Sequence, residues 1–256
     1  MKIFIVTDLE GISGIDSIEM MQTDSSHYDY CLQRLMIDTN AAVDGAFSGG
    51  ANEVVVWDGH WKGTNFIQGM LDSRAVQTKD NFINSLNRSF NAIMFVGTHA
   101  MAGTINGFLD HTQNSGKWYN YYVNGRRTGE IGQWGIIAGY FHIPVIMVSG
   151  DQAACVEAKQ FFGSVECAVV KYGIGRNKAA LVNEEEAVEK IREAARKSLS
   201  LIGKIKAYKP IMPIEIKLEL YRSDYCDELS IGQGVERMDA RTVRKIANSG
   251  LEIFFR

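Results

Sequence analysis

The chain has 256 residues, enough for one sizeable core or two smaller ones. Apolar residues make up 46%, charged residues 22%, and the net charge is −3, which leaves no basic footprint for nucleic acid or for a membrane surface. No apolar run approaches the ~18 residues of a membrane span, and Met1-Lys2 leads straight into a strand pattern without a signal-peptide layout, so a cytoplasmic protein is expected.

Lys2–Thr7 is an apolar run that ends in Asp8-Leu9-Glu10. Residues 28–46 carry Leu32, Leu35, Met36 and Val43 at roughly helical spacing, and Gly49-Gly50 stops that helix. Residues 53–57 are β-branched and continuous, as in a strand buried on both faces, and lead into Asp58-Gly59-His60. A third such strand over 92–96 leads into Gly97-Thr98-His99. Asn124-Gly125 between extended flanks predicts a hairpin, and a helix follows over 131–140 with Gly132, Gly135 and Gly139 on one face. Residues 143–148 read as a fourth strand, 153–162 as a helix, 165–170 as a fifth strand, and Gly173-Ile174-Gly175 as a turn. Asn183 and Glu186 form the two ends of a capping box that opens the next helix. Past Pro210 and Pro213, residues 214–220 alternate strictly, as in an antiparallel strand with one wet face, while 241–247 fit strand or helix. Strands alternating with helices predict an α/β fold with a mostly parallel sheet over 1–206, followed by a smaller C-terminal α+β part over 207–256.

In an open α/β sheet, ligands bind in the crevice outside the carboxyl ends of the parallel strands. Three strands here end in Asp8 and Glu10, in His60 and in His99, although the chain has only five histidines. Two carboxylates and two imidazoles converging on one crevice predict a divalent metal site, with zinc the first expectation. Taken alone, Asp8 and Glu10 read either as an embrace for a cation or as a helix cap beside a solvated carboxylate. Glu130, at the start of a helix, reads as a ligand or as a simple charge at the positive helix end. His111, in the irregular segment after the third strand, reads as a proton-transfer group or as a surface histidine. His27 and His142 follow no strand and read as surface or turn residues. Cys31, Cys155, Cys167 and Cys226 lack Cys-x-x-Cys spacing and read as reduced, mostly buried thiols.

Six segments in order carry a resemblance. They are Asp8-Leu9-Glu10-Gly11-Ile12-Ser13-Gly14, Asp58-Gly59-His60, Gly97-Thr98-His99-Ala100, Val123-Asn124-Gly125, Gly129-Glu130-Ile131-Gly132, and the stretch from Ala138 to Asp151. In these the chain resembles the zinc-dependent D-aminopeptidases of the DppA type. The resemblance implies a three-layer α/β/α fold with a smaller second part, and two zinc ions per subunit bridged by Asp8. Glu10 and His60 would complete the ligands of one ion, His99 and Glu130 those of the other, and His111 would be the catalytic histidine. It also implies a homo-oligomer, a ring-like homodecamer around an internal chamber.

The function expected is a metal-dependent aminopeptidase acting on short peptides, by the resemblance those with a D-residue at the amino end, such as D-Ala-D-Ala. A two-metal site serves other amide or ester bonds equally well, so a different metallohydrolase is the second reading. A non-catalytic peptide-binding protein is the third.

Overall fold

The computed structural model describes residues 1–229 and 234–255. In chain order the elements are β1 (Lys2–Thr7), α1 (Tyr28–Ser48), β2 (Glu53–Asp58), β3 (Ala75–Thr78), α2 (Phe82–Ser85), β4 (Ala92–Thr98), β5 (Trp118–Val123) and β6 (Arg126–Arg127). They continue with α3 (Glu130–Tyr140), β7 (Val145–Asp151), α4 (Gln152–Phe162), β8 (Glu166–Gly175), β9 (Lys178–Leu181) and α5 (Glu184–Ser198). Last come β10 (Ile214–Leu220), α6 (Ser223–Leu229), β11 (Val235–Arg237) and β12 (Thr242–Ala247).

Seven strands form one sheet in the order β3-β2-β1-β4-β7-β8-β9, parallel except for the β8–β9 hairpin. Counting its parallel strands in sequence, the order runs 3-2-1-4-5-6, so the direction of winding reverses between β1 and β4. The crevice outside the strand ends at such a reversal is where open α/β sheets bind ligands.

β1 is buried on both faces because its side chains alternate between two cores. Ile3 and Ile5 pack with α1 and α5, whereas Phe4 and Val6 pack with α3, α4 and the inner face of a second sheet. All four are fully buried, worth roughly 1.5–3 kcal/mol each. The layers are therefore helices, parallel sheet and helices, with the smaller sheet packed on the α3 side.

The second sheet is antiparallel, in the order β11-β12-β10-β5-β6. β10 buries Ile214, Ile216, Leu218 and Leu220 and leaves Glu215, Lys217 and Glu219 partly wet, as its alternation predicts. Of residues 241–247, ambiguous in sequence, 242–247 are settled as strand by pairing with β10. This sheet also takes β5 and β6 from the chain between β4 and α3, and the predicted Asn-Gly hairpin joins them. Asn124 at φ 49° and Gly125 at φ 76° both adopt the left-handed region that this turn demands.

One expectation is corrected. Gly173-Ile174-Gly175 is not a turn but the end of β8, which runs on to pair with β9. Gly173 is there for close packing: a Cβ on it would lie 2.1 Å from the Asn106 carbonyl oxygen. The short strands β3, β9 and β11 and the helix α6 carry too few apolar residues to announce themselves by period.

Gly97 holds the carboxyl end of β4 against β1. Its φ is 77°, and a Cβ there would lie 2.3 Å from the Asp8 carbonyl oxygen. Gly125 has a similar φ with open space around its Cα. Gly125→Ala should therefore cost about 1 kcal/mol, and Gly97→Ala at least about 1–3 kcal/mol more. Urea unfolding midpoints of the two variants test this, and equal losses would overturn it.

Candidate metal centre

Asp8 and Glu10 lie just past β1, in a turn fastened at several points. The Leu9 N–H donates to Asp8 Oδ1 at 2.9 Å, and the Gly11 N–H donates to the Gly97 carbonyl at 2.7 Å. The Lys171 ammonium, fully buried on β8, donates to the Glu10 carbonyl at 2.8 Å and the Ile15 carbonyl at 2.7 Å. Burial pulls Lys171 down to about 7 against the nearby Asp38 and Asp151 carboxylates. No helix follows Asp8, so the capping alternative falls away.

His60 sits on a loop organised by Asp58. That carboxylate accepts the Asn65 N–H at 2.6 Å and the His60 N–H at 3.3 Å. His99 follows β4 with its Nδ1 3.0 Å from the Ala100 carbonyl oxygen. A carbonyl only accepts, so Nδ1 carries the hydrogen and Nε2 is left to face the crevice. His111 is oriented in the same way, its Nδ1 2.8 Å from the Leu109 carbonyl. Its ring stacks on that of His99, with centroids 4.0 Å apart and planes 7° from parallel. Glu130 opens α3 and accepts the Gln113 N–H at 2.7 Å.

All six predicted residues meet in one place. His99 Nε2 lies 3.5 Å from Asp8 Oδ2 and 3.5 Å from Glu130 Oε1. His111 Nε2 lies 3.6 Å from Glu130 Oε1, and His60 Nε2 lies 3.6 Å from Glu10 Oε1. Asp8, His99 and Glu130 each offer a ligand atom within 4.8 Å of the others, and so do Glu10, His99 and His111. His27 and His142 are exposed and lie outside these groups.

The spacing discriminates between a hydrogen-bonded network and a metal site. N–H···O bonds span 2.7–3.2 Å. Two ligand atoms about 2.1 Å from a common tetrahedral ion stand about 3.4 Å apart. The four separations match the second figure, and the buried atoms His99 Nε2, Glu10 Oε2 and His60 Nδ1 have no hydrogen-bond partner. Imidazole nitrogens mixed with carboxylates are a donor set that suits zinc.

Protons are drawn to the crevice in the same way. Burial lowers His60, but the Glu10 carboxylate outweighs it and drives the group up to about 10. Against burial, Glu130 and Asp8 raise His99 well above its ordinary range. Burial, then the neighbouring Glu10, raises Asp8. Glu10 is held well down against burial by His60, and Glu130 is held down against burial by His99. His111 is lowered by burial and by the charge of His99.

Backbone strain concentrates here. Leu109 at φ 51°, Gln113 at φ 59° and Trp61 at φ 51° are non-glycine residues in the left-handed region, which costs of order 1–3 kcal/mol each. They flank His111, bond to Glu130 and follow His60.

Three supporting residues lie beyond the sequence reading. Gln113 shows no periodic signal. Lys171 ends the apolar run 167–170 within β8, and that interruption is a legible sign of a buried amino group with a task. Glu157, on α4, is buried, with one carboxylate oxygen accepting the Met101 N–H at 2.7 Å and the other unpartnered beside Gly129. It braces the segment after His99 against the helix start that carries Glu130. Burial pushes it up to about 7.

Comparison with known proteins bears on this arrangement as a whole. Residues 1–255 match the model of the peptidase M55 family, D-aminopeptidase. A D-aminopeptidase of Bacillus subtilis (strain 168) is 29% identical over 224 residues, covering 84% of this chain and 81% of that protein. A solved structure, described as the Zn-dependent D-aminopeptidase DppA from Bacillus subtilis, a self-compartmentalizing protease, superposes with a TM-score of 0.93 at 27% identity, over 99% of this chain and 94% of that one. Because the family match spans both sheets and every strand end that feeds the crevice, this chain belongs to the D-aminopeptidase family and is an aminopeptidase, a hydrolase of peptides.

Proposed function

We propose that the chain is a di-zinc aminopeptidase that removes the amino-terminal residue from short peptides, with D-residues such as those of D-Ala-D-Ala as its substrates. The observation that carries the metal assignment is the set of three 3.5–3.6 Å nitrogen–oxygen separations among the proposed ligands, His60–Glu10, His99–Asp8 and His99–Glu130. Asp8 stands between two flanks. Glu10 and His60 would hold one ion on one side, and His99 and Glu130 would hold the second on the other. Zinc, when bound, lowers the pKa of its water to about 7 and polarises a carbonyl.

The remaining work falls to protein groups. The three carboxylates gather negative charge that favours a divalent cation. His111, fixed by the Leu109 carbonyl, turns Nε2 towards Glu130 with its lone pair free. It takes a proton from the attacking water and, as the imidazolium so formed, steadies the developing oxyanion before giving the proton to the leaving amine nitrogen.

The assembly proposed is a homo-oligomer, a homodecamer by resemblance. Ile105, Ile174 and Ile211, exposed at 88%, 63% and 83%, support burial against other copies. No helix among the described residues is long and apolar enough to cross a membrane. A cytoplasmic setting is part of the same proposal, and the four unbridged cysteines support it.

Chelation should abolish release of free alanine from D-Ala-D-Ala, and zinc should restore it with two equivalents bound per subunit. Release that survives complete metal removal would end the proposal. His111→Ala should lower kcat about 10²–10⁴-fold with both zinc equivalents retained, while His99→Ala should lose zinc. Elemental analysis alongside the kinetics separates the two roles, and zinc loss in the His111 variant would make it a ligand instead.

A further inference from the structure

Beside the metal centre lies a cavity of about 510 Å³ whose wall includes Glu130 itself and Gly59, the residue before His60. It therefore opens directly off the flank of the site. Five aromatic side chains line it: Trp57, Trp61, Phe82, Trp134 and Phe254. They come from β2, the His60 loop, α2, α3 and the C-terminal tail. Trp57 and Phe82 stack with centroids 5.1 Å apart, and Phe82 approaches Trp134 at 6.3 Å. The Trp57 indole N–H is spent on the Asp80 carbonyl at 2.9 Å, so that side chain offers the cavity only its ring. Among the described residues, Glu130 is the one charged group in the lining.

Trp61 is the rim. It is 68% exposed and held at φ 51°, a conformation that is costly for a bulky side chain. Beyond the Lys62 ammonium, 5.1 Å from its centroid, the ring stands largely in water beside His60.

We propose that this cleft receives a bulky apolar side chain, aromatic or large aliphatic, of the peptide being cleaved. The inference rests on the peptidase reading above and deepens it. The cavity has the size of pockets that enclose small molecules, ~300–1,000 Å³, far more than an alanine methyl needs. Its aromatic walls reward apolar surface and aromatic faces. Among the described residues its lining holds no cationic side chain, which disfavours an acidic one.

The test uses the full-length, zinc-loaded protein and four peptides: D-Ala-D-Ala, D-Phe-D-Ala, D-Ala-D-Phe and D-Ala-D-Glu. At least one phenylalanine peptide should show kcat/KM about 10-fold above that of D-Ala-D-Ala, and the position of that phenylalanine tells which substrate residue enters the cleft. D-Ala-D-Glu should be the poorest of the set. In Trp61→Ala, which removes an exposed side chain, and in Phe254→Ala, the phenylalanine-to-alanine ratio should fall towards one, chiefly through KM. If D-Ala-D-Ala is cleaved but neither phenylalanine peptide is favoured, the cleft assignment fails while the peptidase reading stands. A preference that survives in both variants also overturns it. If no peptide is hydrolysed by the zinc-loaded protein, both fall together.

Discussion

Three carboxylates, Asp8, Glu10 and Glu130, are brought into one water-poor crevice although like charges repel and burial disfavours each of them. Much of the surrounding structure answers that conflict. Three imidazoles are interleaved with the carboxylates, and the two stacked ones are each pinned by a backbone carbonyl at Nδ1, which fixes the nitrogen that faces inward. The Lys171 ammonium holds the turn beneath Glu10 from below. Even so the nitrogen–oxygen pairs stand too far apart to hydrogen-bond, and three buried atoms remain unpartnered. A protein that folds around such an arrangement is storing repulsion that a cation relieves.

The parts of this that are legible in the sequence are those where a long apolar run stops at a residue able to ligate a metal. β1, β2 and β4 are continuous and β-branched or aromatic, and Asp8, Glu10, His60 and His99 follow them at once. Their convergence is legible only by analogy with parallel sheets, since the order that puts β1 beside both β2 and β4 is set by non-local pairing. Glu130 and His111 stay ambiguous alone because a helix start and a loop fit several roles. The second sheet is half visible: the alternation of β10 is plain, but nothing local tells that β5, from nearly a hundred residues earlier, pairs with it. Gly173 misleads because glycine signals a turn and a close contact equally well, and only the neighbour, Asn106, decides.

The site divides its materials by origin. Asp8, Glu10, His60 and His99 follow directly on the ends of parallel strands from the buried middle of the sheet. The aromatic surface beside them comes from β2 and from elements of little mutual framework: a loop, a one-turn helix, α3 and a tail. Rigid strands suit ligands that must be placed to within a fraction of an ångström. Loops and tails can vary in length and side chain without disturbing the ligands, so preference among substrates can drift while the chemistry stays fixed.

The second sheet also sets a schedule. α3, whose first residue is Glu130, shares its core with β10 and β12 of the second sheet. The Gly250 backbone lies against Ile136, and the Tyr121 hydroxyl donates to the Ile253 carbonyl at 2.6 Å. During synthesis the strands bearing Asp8, His60 and His99 emerge long before that core is complete. Residues 118–140 must wait, with apolar faces unpaired, for more than a hundred later residues to arrive, as contacts between distant segments require. A hydrolase assembled in this order has its cutting edge divided between an early half and a late half, and a growing chain carries only the first.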